Sequence, residues 1–262
     1  LEYFVICAVA LLVSSLTLFS GFGLGTLLMP AFALFFPIKF AIAATAVVHL
    51  ANNLFKLFLV GRHADIKTVL RFTIPAVLFA SLGAFLLGYL SGMPLLISYQ
   101  IGPMSCEVTL VKLVTAILIA FFSFWDLSPR LERLEFGPEY VPLGGALSGL
   151  FGGLSGLQGA LRSAFLIRCG LSKEAFIGTG VVSTVGVDTA RLIVYGSTFV
   201  THEFSGLAGH GATGPILAGT MAAFVGSFIG NRMLKKVTMR TVQLIVGVML
   251  ILLSVALGAG MI

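Results

Sequence analysis

The sequence predicts an all-α integral membrane protein of two inverted repeats, each a broken or re-entrant helical hairpin followed by three transmembrane helices. Three observations carry this prediction. Of the 262 residues, 58% are hydrophobic and only 10% are charged, against about 25% charged in soluble domains, and the mean hydropathy is +1.08. The apolar residues come in runs approaching the ~20 needed to cross a bilayer as helix, not as the alternating ~10-residue segments of a β-barrel. Finally, a shift of 134 residues lays the second half of the chain on the first without a gap.

The apolar runs, in order, are roughly 3–20, 25–36, 40–60, 72–90, 106–126, 141–152, 157–168, 174–195, 213–231 and 241–260. Segments 25–36, 141–152 and 157–168 are too short to span comfortably, and 3–20 ends in the glycine break Gly21-Phe22-Gly23-Leu24-Gly25. Under the shift, Gly25 falls on Gly159, Leu27 on Leu161, Lys39 on Lys173, Ala41 on Ala175 and Thr45 on Thr179, while Ser14 and Leu16 meet Ser148 and Leu150. The shared pattern is Gly-x-Leu, an apolar stretch, then Lys-x-Ala-x-x-x-Thr. It divides the chain into repeats 1–130 and 131–262 within one membrane domain.

Positive charge sets the topology. If each glycine break is the tip of a hairpin whose arms enter and leave on one face, the basic loops share a side: Arg62, Lys67 and Arg71; Arg130 and Arg133; Arg168 and Lys173; Arg232, Lys235, Lys236 and Arg240. The opposite face has Lys39 alone among its loops, and loops 91–105 and 196–211 carry no Lys or Arg. If each broken segment crossed once, the basic loops would be divided between both faces. The positive-inside rule therefore favours hairpins, a cytoplasmic basic face and an outer N-terminus. An odd number of crossings then separates the hairpins, so the halves are inverted. Interrupted helices at matching positions of inverted halves are the pointer to a transporter site near the midplane.

The candidate site follows from the two breaks. Non-helical backbone at membrane depth is tolerated only where protein buries it or it lines a wet cavity. Helices beginning near Gly25 and Gly159 would present free N–H groups and a positive dipole end, which suits an anion. Gly23, Gly25, Gly156 and Gly159 are the expected backbone contacts. Gly226 and Gly230 read instead as small residues for close helix packing. Gln158 and Arg162 share a helix face at i, i+4; an arginine inside a membrane marks a pathway or a pair, and its planar fork suits sulfonate, sulfite or carboxylate oxygens. The first repeat has Leu24 and Leu28 there, so this contribution is asymmetric. On the long helices that follow, Thr45, Asn52, Asn53 and Thr179 are expected to line the site. His49, Lys56, Asp188 and Arg191 are expected to serve coupling or charge pairing, with Asp188 and Arg191 as i, i+3 partners and His49 able to exchange a proton near neutral pH.

Several function classes are disfavoured. Cys7, Cys106 and Cys169 lack CxxC spacing, and His202, Glu203 and His210, on one loop, are weakly spaced for a metal. The opening segment reads as mature structure, not a cleaved signal. GGLSGLQGALRS lacks the Lys-Ser/Thr end of a Walker A loop, so neither nucleotide nor other cofactor is expected. The net charge of +6 reflects cytoplasmic loops, not nucleic-acid binding. No Ser/His or His/Glu constellation recurs, so an enzyme is not expected.

The turn Gly-x-Gly-x-Gly-x-Leu-x-x-Pro from Gly21 to Pro30, followed by Lys39-x-Ala41-x-x-x-Thr45, resembles the first repeat signature of the TauE/SafE sulfite exporter family. Gly156-Leu-Gln-Gly159-Ala-Leu161, then Lys173-Glu-Ala175-x-x-x-Thr179, resembles the second, and the likeness covers nearly the whole chain. It departs at Ala164, where proline is common, and at Gln158 and Arg162, where small or apolar residues are common; both polar additions favour an anion. The resemblance implies a secondary transporter of the inner membrane, moving sulfite or a small organosulfur anion such as sulfoacetate, usually outward. A passive anion channel, or a transporter of another small anion, is the alternative. Expected partners are the anion, the bilayer, a coupling proton or Na+ and a second copy of the chain as a homodimer.

Overall fold

The structure, a computed structural model, describes residues 1–17, 24–102, 104–132, 135–197, 213–233 and 239–261. Its helices are α1 (Glu2–Thr17), α2 (Leu24–Ala33), α3 (Ile38–Val60), α4 (Ile66–Ser91), α5 (Leu110–Leu127), the single turn α6 (Pro129–Glu132), α7 (Val141–Ser155), α8 (Gly159–Leu166), α9 (Lys173–Tyr195), α10 (Thr213–Met233) and α11 (Met239–Gly258). Four stretches among the described residues are long and apolar enough to cross a membrane: Phe40–His63, Ile66–Ser91, Lys173–Tyr195 and Thr213–Gly230. Glu2–Ser15 and Leu110–Trp125 are shorter apolar helices. The expected all-helical membrane architecture is therefore present. Gly21–Gly23, Arg133, Lys235 and Lys236 and the loop with His202, Glu203 and His210 lie outside the described residues.

Helix α4 shows how the sequence builds a membrane helix. Phe72, Ala76, Ala80, Ala84 and Leu87 are buried, while Ile66, Leu70, Ile74, Leu78, Leu82 and Phe85 form an exposed stripe at helical spacing. A soluble helix places polar residues on its outer face; this one is apolar there, as lipid requires. It begins at Ile66, earlier than the apolar run suggests, because Asp65 caps it: the Asp65 carboxylate accepts from the Thr68 backbone N–H at 2.8 Å. That hydrogen bond, ahead of other influences, holds the Asp65 carboxyl below its ordinary value of 3.8.

The helices pack in reciprocal pairs. α4 lies along α7, α1 along α10, α3 against α9 and α5 against α11. Small residues permit the two closest pairs. A Cβ added to Gly145, Gly149 or Gly153 of α7 would run into the Phe72, Ala76 and Ala80 carbonyls of α4. One added to Gly226 or Gly230 would meet the Leu11 and Ser15 carbonyls of α1, so these two glycines are packing residues, as read from the sequence. Overpacking a tight contact costs about 1–3 kcal/mol or more. Gly149→Val is accordingly expected to lower the thermal unfolding temperature in detergent and the yield of monodisperse protein, whereas Val substitution at Gly170, with nothing within 4 Å but φ +68°, costs only local backbone strain.

One element differs from expectation. The stretch read as an outer loop and the start of a helix is an antiparallel hairpin, β1 (Leu95–Ile101) with β2 (Met104–Thr109). The alternation Leu95-x-Ile97-x-Tyr99-x-Ile101 has a period of two, which a helix cannot place on one face. Helix α5 starts only at Leu110, where Thr109 caps it. The hairpin is tied to the chain end through the Glu107 N–H to the Gly260 carbonyl, 3.0 Å, and the Tyr99 hydroxyl to the Ala259 carbonyl, 2.6 Å.

Candidate functional site

The second glycine break is a helical hairpin. α7 ends at Gly156, whose φ of +81° is left-handed, a conformation glycine adopts without steric cost. The chain then turns through Leu157 and Gln158 into α8. The two arms return to the same level: the Phe136 N–H donates to the Ala164 carbonyl at 3.1 Å, the Phe136 and Phe165 rings stack 4.2 Å apart, and Arg168 pairs with Glu135 at 2.7 Å. Near the tip, the Ser148 hydroxyl donates to the Gln158 carbonyl at 3.0 Å.

Ending α7 inside the protein orphans its last carbonyls. Helix α9 supplies the donors. The Tyr195 hydroxyl donates to the Gly153 carbonyl, and Arg191 Nη1 adds a second donor, at 3.2 Å, to the Gly152 carbonyl, which also accepts the Gly156 N–H at 2.9 Å. The Arg191 charge also opposes the negative end of the α7 dipole. Gly156 leaves room for this, since a Cβ there would lie 3.0 Å from Arg191 Nη1. Arg191 thus holds the break together. It is fully buried and paired with Asp188 Oδ1 at 2.8 Å.

Asp188 is the hub of the site. Its Oδ2 lies 2.7 Å from His49 Nδ1, which joins α9 to α3, and its Oδ1 also accepts from Gln158 Nε2 at 3.4 Å. Arg162, 5% exposed, reaches from α8 to the Thr184 hydroxyl of α9, which itself donates to the Gly180 carbonyl at 2.8 Å. Lys56, 6% exposed, stands within electrostatic reach of Arg162. Neither Arg162 nor Lys56 has a carboxylate at ion-pair distance among the described residues. Arg191 and His49 pair directly with Asp188, so Lys56 and Arg162 are two buried cations with no direct ion pair among the described residues. Removing a charge from water costs several kcal/mol per ion unless a partner compensates.

The structure sorts the remaining expected residues. Gln158, Gly156 and Gly159 gather at the hairpin tip beside Asp188 and Arg191. Gly25 opens α2, and Gly23 lies outside the described residues. Asn52 turns away: its Oδ1 accepts from Ser227 at 2.8 Å and from Ser14 at 3.3 Å, in a knot between α1, α3 and α10. Asn53 Nδ2 donates to the His49 carbonyl of its own helix at 2.8 Å. Thr179 accepts the Asp65 N–H at 3.0 Å, at the entry of α4. Thr45 is buried with no hydrogen-bond partner for its hydroxyl. Lys56, grouped from the sequence with the coupling or charge-pairing residues, has no carboxylate at ion-pair distance among the described residues. Thr184 and Tyr195 were not singled out as site residues; their signal is the α9 stripe Gly180, Thr184, Asp188, Arg191, Tyr195 at helical spacing.

The sequence matches the family model described as Sulfite exporter TauE/SafE over residues 6–257. The chain belongs to the TauE/SafE sulfite exporter family. No curated protein and no solved structure matches it. Membership in TauE/SafE makes the chain a membrane protein of a transporter family.

Proposed function

We propose that this protein is a secondary transporter of sulfite or a small organosulfur anion such as sulfoacetate, working in the inner membrane by alternating access. The observation that carries the reading is the pair Lys56 and Arg162, buried, without an ion pair among the described residues and contributed one by each half of the chain. The anion would sit between them, with Gln158 and the backbone N–H groups of the α8 tip as further donors. Gly23 and Gly25 would supply the matching tip of the first hairpin.

The halves 1–130 and 131–262 would be inverted repeats, with the basic loops cytoplasmic, the N-terminus outside and export the usual direction. The reciprocal packing of α4 on α7 and α1 on α10 supports two equivalent halves, because a pseudo-two-fold axis generates such swapped pairs. The His49–Asp188 contact between α3 and α9 is where one half would rock against the other.

Proteoliposomes test the reading. Purified protein is expected to exchange labelled sulfoacetate for unlabelled internal sulfoacetate, with transient accumulation above the external concentration. Flux that saturates no faster than in empty liposomes would refute it, and flux with unitary conductance but no accumulation would make the protein an anion channel.

A further inference from the structure

His49 lies at the middle of α3 and meets Asp188, the hub of the site, on α9 of the opposite half. Its tautomer follows from its partners. Asp188 Oδ1 forms an ion pair with Arg191 and accepts from Gln158, and its Oδ2 meets His49 Nδ1. An ionised carboxylate can only accept, so Nδ1 carries a proton and Nε2 is the atom that gains or loses one. Nε2 makes no hydrogen bond to a described residue, and the side chain keeps 13% of its surface exposed.

The charges facing His49 pull in opposite directions. The Asp188 carboxylate meets His49 directly, while cations stand on the elements around it: Arg191, paired with Asp188 on α9, Lys56 two turns along α3 and Arg162, which reaches from α8 to α9. Helix α2 and residues 213–230 of α10, which also pack on α3, bring no titratable side chain, and Arg62 and His63 lie at the far end of the helix. In the empty site a proton on Nε2 would add a third uncompensated positive charge to two. An anion between Lys56 and Arg162 cancels the charges that repel that proton. Anion and proton therefore raise each other's affinity, and such coupling is reciprocal.

We propose that His49 Nε2 is the site of the coupling proton and that the proton binds together with the anion, so that both cross the membrane in the same direction. The step is a simple association: Nε2 takes one proton from the side on which the anion is bound and returns it to the other side when the anion leaves. The inference rests on the anion site proposed above, and the experiment separates the two.

Sulfoacetate, whose carboxyl ionises at about pH 4 as ordinary carboxyls do and which is mainly a dianion above about pH 5, serves as the probe. Its affinity for the purified protein is expected to tighten toward low pH, by up to tenfold per pH unit across the range where His49 titrates. In His49→Gln, which keeps a hydrogen-bond donor toward Asp188, the pH slope is expected to vanish. Equal wild-type affinity at every pH would overturn the coupling and leave the anion site standing; no sulfoacetate binding at any pH would overturn both. Wild-type protein provides a check that needs no variant. With potassium equal on both sides and valinomycin clamping the potential, an inward sulfoacetate gradient is expected to acidify the lumen of proteoliposomes carrying a pH dye. An alkaline shift, or none while labelled sulfoacetate enters, would contradict the inference.

Discussion

Arg162→Ala weakens anion binding by roughly 10- to 100-fold, the loss expected when a charge-assisted hydrogen bond worth about 1.5–3 kcal/mol is removed. The side chain is buried and its only hydrogen-bond partner among the described residues is the Thr184 hydroxyl. Its guanidinium therefore has donors to spare for a ligand. Arg162→Lys keeps the charge but not the planar fork, so part of the affinity returns. Calorimetric titration of purified protein with sulfoacetate reads both effects. Because truncation also removes an uncompensated buried charge, Arg162→Ala is expected to be no less stable than wild type without anion. That combination, weaker binding with undiminished stability, distinguishes a ligand-holding arginine from a structural one. Unchanged affinity would place the anion elsewhere.

Asp188→Asn destabilises the protein by about 3–5 kcal/mol, the cost of breaking a buried ion pair from one side. Arg191, fully buried, loses the carboxylate 2.8 Å away, and His49 loses its partner across the halves. Thermal unfolding in detergent measures the loss. Adding Arg191→Met to Asp188→Asn removes the stranded charge and recovers part of it. Recovery is incomplete, because the Gly152 carbonyl at the end of α7 then lacks its side-chain donor. An Asp188→Asn variant as stable as wild type would mean that Asp188 is not ionised and that the hub described here is wrong.

Most of the helical plan was legible because lipid imposes a strong pattern. Long apolar runs located α3, α4, α9 and α10, and the glycine break located the α7–α8 hairpin. The site was only partly legible. Arg162 stood out as a charge in an apolar stretch, and Asp188 with Arg191 as an i, i+3 pair. Asn52 and Asn53 are adjacent on α3 and so point about 100° apart: Asn52 Oδ1 accepts from Ser227 and Asn53 Nδ2 donates to the His49 carbonyl, a difference that sequence position alone does not show. Thr179 matched Thr45 in the repeat, yet it lies nine residues before Asp188 on α9, about 13 Å along the axis. A repeat preserves sequence position, not distance to a ligand. That Lys56 and Arg162 come within electrostatic reach of each other depends on how α3, α8 and α9 pack, which no local pattern records. The β-hairpin was missed because its apolar alternation is embedded between two longer apolar runs.

The central claim is that one anion lies between the Lys56 ammonium and the Arg162 guanidinium. Selenite, the heavier analogue of sulfite, tests it in a crystal of the protein through the anomalous scattering of selenium. The account predicts one selenium peak bounded by Lys56, Arg162 and the Gln158–Gly159 turn, lost in Lys56→Met combined with Arg162→Ala. A peak confined to the surface loops, or none at a selenite concentration that stabilises the protein in solution, would contradict it.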